Sequence, residues 1–146
     1  MKKSVIIRKI SLNDAGAIQK ISNAISKNSS EINFEKLIQY KIANNEHETS
    51  LVAEIDNKVA GYMISNLLYA GFGLKKSAWI VTMGVKPDFM GQGLGVKLAK
   101  EIFQIYKKKN IEHIYSSVMW DSIDLLSFFK KLGFERSNFI NLCKKL

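Results

Sequence analysis

The strongest constraint in this sequence is a run of glycines at alternating positions, Gly91-Gln92-Gly93-Leu94-Gly95, set between a strand-like and a helix-like segment. Before it, residues 78–85 (Ala-Trp-Ile-Val-Thr-Met-Gly-Val) are strongly apolar, the pattern of a central strand. After it, Leu98, Ile102 and Ile105 trace the apolar stripe of an amphipathic helix over 94–109. Glycine lets a backbone turn tightly and approach a ligand without a Cβ clash. The helix that follows points its free N–H groups and the positive end of its dipole at that ligand, so the segment is a ready anion site. Spacing excludes two nucleotide loops. No Gly-x-x-x-x-Gly-Lys-Ser/Thr string exists, and in the Gly-x-Gly-x-x-Gly pattern the third glycine falls one place early, at Gly95. Gly84, inside the strand, predicts a bulge or a close backbone approach.

The rest of the chain reads as alternating elements. Residues 4–10 form a β-branched strand, and Ser11-Leu12-Asn13-Asp14 opens a helix over about 12–27 with a capping-box-like start. Asn28-Ser29-Ser30 breaks it, and a second helix covers about 33–44. Strands over 49–55 and 58–69 are joined by Asp56-Asn57-Lys58, a hairpin signal. Gly71-Phe72-Gly73 separates them from the strand 78–85. A strand over 111–119, a helix over 122–132 stopped by Gly133, and a last strand over 139–146 complete the order β-α-α-β-β-β-α-β-α-β. That order predicts one domain over 1–146, an α/β or α+β three-layer fold with a mixed central sheet flanked by helices.

Composition narrows the class. The formal charge is +9, but twenty of the 22 basic residues are Lys and only Arg8 and Arg136 are Arg. A nucleic-acid reader favours the bidentate Arg fork, so the charge reads as a solvated surface that steers anionic ligands. No stretch approaches the roughly 18 apolar residues of a membrane span, and Met1-Lys2-Lys3-Ser4-Val5 is expected to lead straight into a strand, without the apolar core and cleavage site of a signal peptide. Cys143 is the single cysteine, which excludes an internal disulfide and fits a cytoplasmic location. No cluster of Cys, His or acids stands at metal-ligand spacing.

Val85-Lys86-Pro87-Asp88-Phe89-Met90-Gly91-Gln92-Gly93-Leu94-Gly95, after an apolar strand, resembles the acetyl-CoA-binding motif of the GNAT superfamily of N-acetyltransferases. That family's Gln/Arg-x-x-Gly-x-Gly/Ala pattern falls on Met90, Gly93 and Gly95. Phe128-Phe129-Lys130-Lys131-Leu132-Gly133-Phe134 resembles its Leu-Tyr-x-Lys-Leu-Gly-Phe element, and Asn138–Leu146 its last strand. The resemblance covers essentially the whole chain and implies acetyl transfer from acetyl-CoA to a primary amine by direct attack in a ternary complex.

The resemblance also implies roles. The pyrophosphate would sit on the amides of Met90, Gly91, Gln92, Gly93, Leu94 and Gly95. The pantetheine arm would pair with the strand at Met83, Gly84 and Val85. The Met83 N–H would polarise the thioester carbonyl. The bulge implied by Gly84 would splay the sheet there. Lys97, Lys100 or Lys130 would meet a 3′-phosphate, if they are not simply solvated lysines. Three departures stand out: Met90 where the family has Gln or Arg, Phe129 where it has a Tyr acid, and Ser122 where it often has Asn. Ser122 and Phe129 remain expected cofactor neighbours.

The residues themselves leave the acid and base open. An alkylamine near pKa 10.4 costs roughly 4–5 kcal/mol to deprotonate at pH 7, so a base is needed. Residues 78–85 hold no acid. Asp121 is the first candidate base or else the N-cap of 122–132, Glu54 a relay, and Tyr115 a candidate acid. His47 and His113 read as surface residues, and Cys143 lacks a paired base. Trp79, Trp120, Tyr69 and Phe72 line an acceptor pocket or fill the core. Two other functions compete: a non-catalytic acyl-CoA-binding module, motivated by Phe129, and a basic nucleic-acid binder, motivated by charge alone. The expected partners are acetyl-CoA and an amine, with no nucleic acid and no membrane, and with a homodimer left open.

Overall fold

A computed structural model describes residues 3–26, 31–69, 72–73 and 75–146. The expected breaks at Asn28-Ser29-Ser30 and at Gly71 lie outside the described residues. The chain forms two compact units, 1–116 and 117–146.

The first unit is built on a five-stranded sheet in the order β1 (Val5–Lys9), β2 (Leu51–Ile55), β3 (Lys58–Leu68), β4 (Ser77–Val85), β5 (Ile114–Tyr115). The first three pairings are antiparallel and β4–β5 is parallel, so the sheet is mixed. β2 and β3 meet in a hairpin whose Asp56 and Asn57 have φ of 51° and 61°. These are values that Asp and Asn tolerate, and they match the twist of the strands. The helix expected over 12–27 opens instead as a 3₁₀ turn, Leu12–Asp14, before α1 (Ala15–Ile25). α2 is Phe34–Ala43.

Side chains alternate across the sheet. Val52, Tyr62 and Ile64 meet Ile18, Ile21, Phe34 and Ile38 of α1 and α2 in one core layer. Leu51, Ala53 and Met63 point to the other face, where α3 (Leu94–Lys108) packs with Leu98 and Ile102 fully buried. Helices on both faces give the expected three layers. Arg8 of β1 clamps the edge of this layered body. Its two terminal nitrogens bind the Asp14 oxygens at 2.8 and 2.7 Å, and its Nε binds Glu54 Oε1 at 2.8 Å. Glu54 is thereby a structural ion-pair partner on β2, two strands from β4, and not a free proton relay.

Two strand expectations need correction. The strand over 111–119 shrinks to Ile114–Tyr115, because β5 pairs with β4 only at Ala78↔Ile114 and Trp79↔Tyr115 before the two diverge. The strand over 139–146 does not form, and residues 134–146 are irregular. β-propensity becomes a strand only beside a partner that takes its backbone hydrogen bonds, and the second unit contains no other strand. That unit holds α4 (Ile123–Lys131), over which Phe129 packs edge-on to Phe128 and Phe134 at 5.3 and 4.9 Å.

Candidate functional site

The site is assembled from the open edge of β4. Lys86 N–H donates to the Ala60 carbonyl at 2.8 Å. In an antiparallel ladder successive residues turn their N–H and C=O toward the partner strand and away from it in turn. Counting back from Lys86, Gly84 and Thr82 face β3, whereas Val85 and Met83 face away. On that outer side the β5 ladder ends at Trp79. Ser116 Oγ then donates to the Ile80 carbonyl at 3.0 Å, one residue past the last pair. Beyond it, no strand among the described residues pairs with this edge.

The phase of that edge depends on a bulge. Ile64 pairs with Thr82 but Ser65 pairs with Ile80, so Val81 is an extra residue in β4. The bulge lies at Val81 and not at Gly84 as expected. Gly84 serves the other role, close approach. A Cβ placed there would lie 2.8 Å from both Ile25 Cδ1 and Tyr62 Cε1. Without the extra residue, the positions turned outward would be Thr82 and Gly84, and the bulge makes them Met83 and Val85.

The glycine loop continues from this edge. Pro87–Phe89 is a 3₁₀ turn, and Gly91 and Gly93 have φ of 81° and 78°. Nothing lies within 4 Å of a Cβ at either glycine, so backbone conformation, not space, requires them. The Met90 N–H is taken by the Pro87 carbonyl at 3.3 Å, which removes it from the set of free amides. The first bond of α3 is Lys97 N–H to Gly93 O at 3.1 Å. No backbone acceptor among the described residues takes the N–H of Gly91, Gln92, Gly93, Leu94 or Gly95, the geometry of an anion cradle at a helix start. Lys97, whose N–H meets the loop at Gly93, and Lys100 also line a cavity of about 680 Å³ along α3 with Phe103, Gln104, Lys107 and His113.

Beside the point of divergence stands an aromatic pair. Trp79 stacks on Tyr115 with centroids 5.0 Å apart, and His113 stacks on Tyr115 at 6.2 Å. The Trp79 Nε1 is buried without a hydrogen-bond partner. His47 is half-buried in a 3₁₀ turn, with its Nδ1 also buried and unpartnered, rather than on the surface. Tyr69 and Phe72 are exposed, not core.

The second unit carries the remaining expected residues. Asp121 is exposed and is not the helix cap. That position belongs to Ser122, whose side chain makes no capping bond. Phe129 is buried. Trp120 is exposed beneath the Arg136 guanidinium at 5.9 Å, and Cys143 is exposed. Among the described residues no three His, Cys, Asp or Glu side chains group as metal ligands, and no helix is long and apolar enough to cross a membrane.

One feature was missed in the sequence. Lys41 of α2 is 1% exposed and gives its Nζ hydrogens to the Ser65 carbonyl at 3.0 Å and to Asn66 Oδ1. The available signal was its place at i+7 from Phe34 and i+3 from Ile38, on the buried face of the helix.

The acetyltransferase (GNAT) family model matches residues 17–134. An N-alpha-acetyltransferase of Sulfurisphaera tokodaii is 28% identical over 142 residues, 91% of this chain and 81% of that protein. In fold, the chain is similar to an aminoglycoside N-acetyltransferase AAC(6')-Iy in complex with CoA, with a TM-score of 0.80 at 12% identity over 99% of this chain and 97% of that one. It is also similar to Ard1 from Thermoplasma volcanium, with a TM-score of 0.75 at 18% identity over 91% and 84%. With most of its length inside the family model and its sheet opening beside the glycine loop, this chain belongs to the GNAT family and is an acetyl-CoA-dependent N-acetyltransferase.

Proposed function

We propose that the chain transfers the acetyl group of acetyl-CoA to a primary amine by direct attack in a ternary complex, with the α-amine of a peptide as the first acceptor class. The observation that carries this reading is the open β4 edge, with Met83 and Val85 turned outward beside five loop amides that no backbone acceptor among the described residues takes.

The residues present fit a CoA thioester, which supplies an activated acyl group. The amides of Gly91, Gln92, Gly93, Leu94 and Gly95 suit a diphosphate. Met90 contributes its exposed side chain rather than its N–H. Met83 and Val85 offer a strand edge to an extended arm, with Gly84 between them turned to β3. The Met83 N–H would stabilise negative charge developing on the thioester oxygen. Tyr115, at the last paired position before the edge opens, is the candidate acid. Asp121, exposed and with no ion pair among the described residues, is the candidate base, and Ser122 and Phe129 stand for the family's cofactor neighbours. The reading of 1–146 as one domain rests on a family match that crosses Ser116.

The preference for an α-amine is chemical. β4 carries no carboxylate. An α-amine near pKa 8 needs only about 1 kcal/mol to lose its proton at pH 7, against roughly 4–5 for a lysine amine. A site with a weak base suits the former, and the name of the Sulfurisphaera tokodaii relative points the same way.

Calorimetry with acetyl-CoA at moderate salt, on the wild type and on Gly93→Trp, tests the site. Micromolar binding that the variant loses is expected, followed by thiol release with peptide α-amines ahead of lysine side chains and aminoglycosides. Absence of binding to the wild type overturns the reading. Phe129 supports a second one, an acyl-CoA-binding module without turnover, because that position brings no hydroxyl. Binding without thiol release for any of the three amines would select it.

A further inference from the structure

The transfer edge depends on the bulge at Val81, and the bulge lies opposite the bond between Ile64 and Ser65 of β3. At that point β3 has outrun β2, whose last pair is Leu51↔Met63. The backbone of Ser65, two residues on, turns to the same side as that of Met63 and finds side chains in place of a strand. Its N–H donates to Ser50 Oγ at 3.2 Å, and its carbonyl accepts from Lys41 Nζ at 3.0 Å and from Ser50 Oγ at 3.4 Å. Lys41 also binds Asn66, which stands directly across from Trp79. From the other face, Tyr106 Oη meets Ser65 Oγ at 2.7 Å, and Ser65 Oγ binds the Thr49 carbonyl.

Lys41 is an expensive choice for this place. It is 1% exposed and no ion pair with a carboxylate accompanies it among the described residues. An apolar side chain of similar length would fill the same volume at lower cost. What the ammonium adds is directional hydrogen bonding to two consecutive residues of β3, those across from Ile80 and Trp79.

We propose that Lys41 is a positioning residue of the transfer site: by holding Ser65 and Asn66 it pins the β3 segment opposite the Val81 bulge, and so keeps the Met83 amide turned to the open edge. The proposal rests on the reading that the Met83 amide serves the thioester. Lys41 touches neither cosubstrate nor acceptor in this role and acts through β3.

The test uses the full chain, labelled with ¹⁵N, and two probes, acetyl-CoA and CoA. In the wild type, Thr82 and Gly84 amides exchange slowly and Met83 and Val85 quickly without ligand. Acetyl-CoA moves the Met83 resonance more than CoA does. In Lys41→Met the Met83 resonance shifts before any ligand is added. The preference for acetyl-CoA over CoA disappears, and thiol release falls about tenfold or more at saturating acetyl-CoA. Ser50→Ala, which removes the other side-chain partner of the Ser65 backbone, reproduces the direction of these changes and serves if Lys41→Met does not fold. Ile38→Val, a small core loss on the same helix, leaves the Met83 resonance and the ligand preference unchanged. If it alters them as much as Lys41→Met, the role is merely structural and the proposal is overturned. It is equally overturned if Lys41→Met and Ser50→Ala both keep the wild-type Met83 resonance and ligand preference. A wild-type Met83 amide indifferent to the acetyl group instead removes the reading beneath, and the proposal with it.

Discussion

Gly84→Ala is the sharpest test of how the edge is held in register. Gly84 sits opposite Tyr62 on the face covered by α1, and an added Cβ would lie 2.8 Å from Ile25 Cδ1, 2.8 Å from Tyr62 Cε1 and 3.1 Å from Tyr62 Cζ. Ordinary carbon contacts begin near 3.5 Å, so the methyl intrudes by about 0.7 Å on two partners at once. Ile25 Cδ1 is the end of a flexible side chain and can yield. The Tyr62 ring is 1% exposed and packed edge-on against Phe34, with centroids 5.6 Å apart, and has nowhere to go. Overpacking of this kind costs about 1–3 kcal/mol. Replacing glycine in a strand returns about 0.5–1 kcal/mol of backbone entropy. With two partners struck at once the upper part of that cost applies, about 2–3 kcal/mol, so the net expectation is a loss of about 1–2.5 kcal/mol, read as a lower urea midpoint at unchanged slope. Because the clash pushes β4 off β3, calorimetry should show weaker acetyl-CoA binding as well. Adding Ile25→Val removes one of the two contacts and should recover part of both losses. A Gly84→Ala protein within about 0.5 kcal/mol of the wild type would refute the close-approach reading.

Three other outcomes follow from the same geometry. Asp14 is 4% exposed, and burial alone would raise its pKa, but the Arg8 fork and the Ser11 N–H outweigh this and hold the carboxyl below its usual 3.8. The folded chain therefore binds that proton less readily than the unfolded one. The stabilisation is present above about pH 4 and is lost as pH falls through the lowered value. Asp14→Asn should cost about 1–3 kcal/mol in urea at pH 7 and flatten the acid limb of the stability profile. Ser116→Ala, which frees the Ile80 carbonyl where β4 and β5 part, should lower the stability read in urea by about 1 kcal/mol and weaken acetyl-CoA binding read by calorimetry. Asp121→Asn should leave acetyl-CoA affinity intact and lower thiol release with amine by about 10²-fold, with partial recovery at high pH where the amine is already neutral. An unchanged rate would remove Asp121 from the mechanism.

The parts legible in the sequence are those where a residue type admits few backbones. Asp56-Asn57 announced a tight hairpin, and the turn has both residues at positive φ. The alternating glycines announced a loop at a helix start, and Gly91 and Gly93 adopt the left-handed backbone that position requires. What stayed hidden depends on partners far away in sequence. Nothing local marks Val81 as extra, since it is one β-branched residue among several and its status is set by Ile64 and Ser65 across the ladder. Phe139–Leu146 carries strand-forming residues, but its own unit holds no strand to pair with. Glu54 looked available to solvent until Arg8, 46 residues away, took it. Lys41 read as one more surface lysine in a lysine-rich chain, although its helical position already placed it with Phe34 and Ile38.

Two of these hidden features, Val81 and Lys41, bear on one physical task. The edge offers Met83 and Val85 only in one register of β4 against β3. Slipping β4 by one residue to absorb Val81 into the ladder would place Met83 opposite Tyr62, beneath Ile25, where even a Cβ has no room. The glycine at 84 thus excludes the slipped register by sterics from the α1 face, while Ser50 and Lys41 hold β3 from its β2 side. One constraint acts by repulsion and the other by hydrogen bonding, and they act on different strands. Neither needs the cosubstrate. The free protein should therefore already present the Met83 amide outward, and acetyl-CoA should meet a formed edge rather than create one. The register of β4 is thus set from two sides, by a glycine next to Met83 on the strand itself and by Lys41 and Ser50 acting through β3.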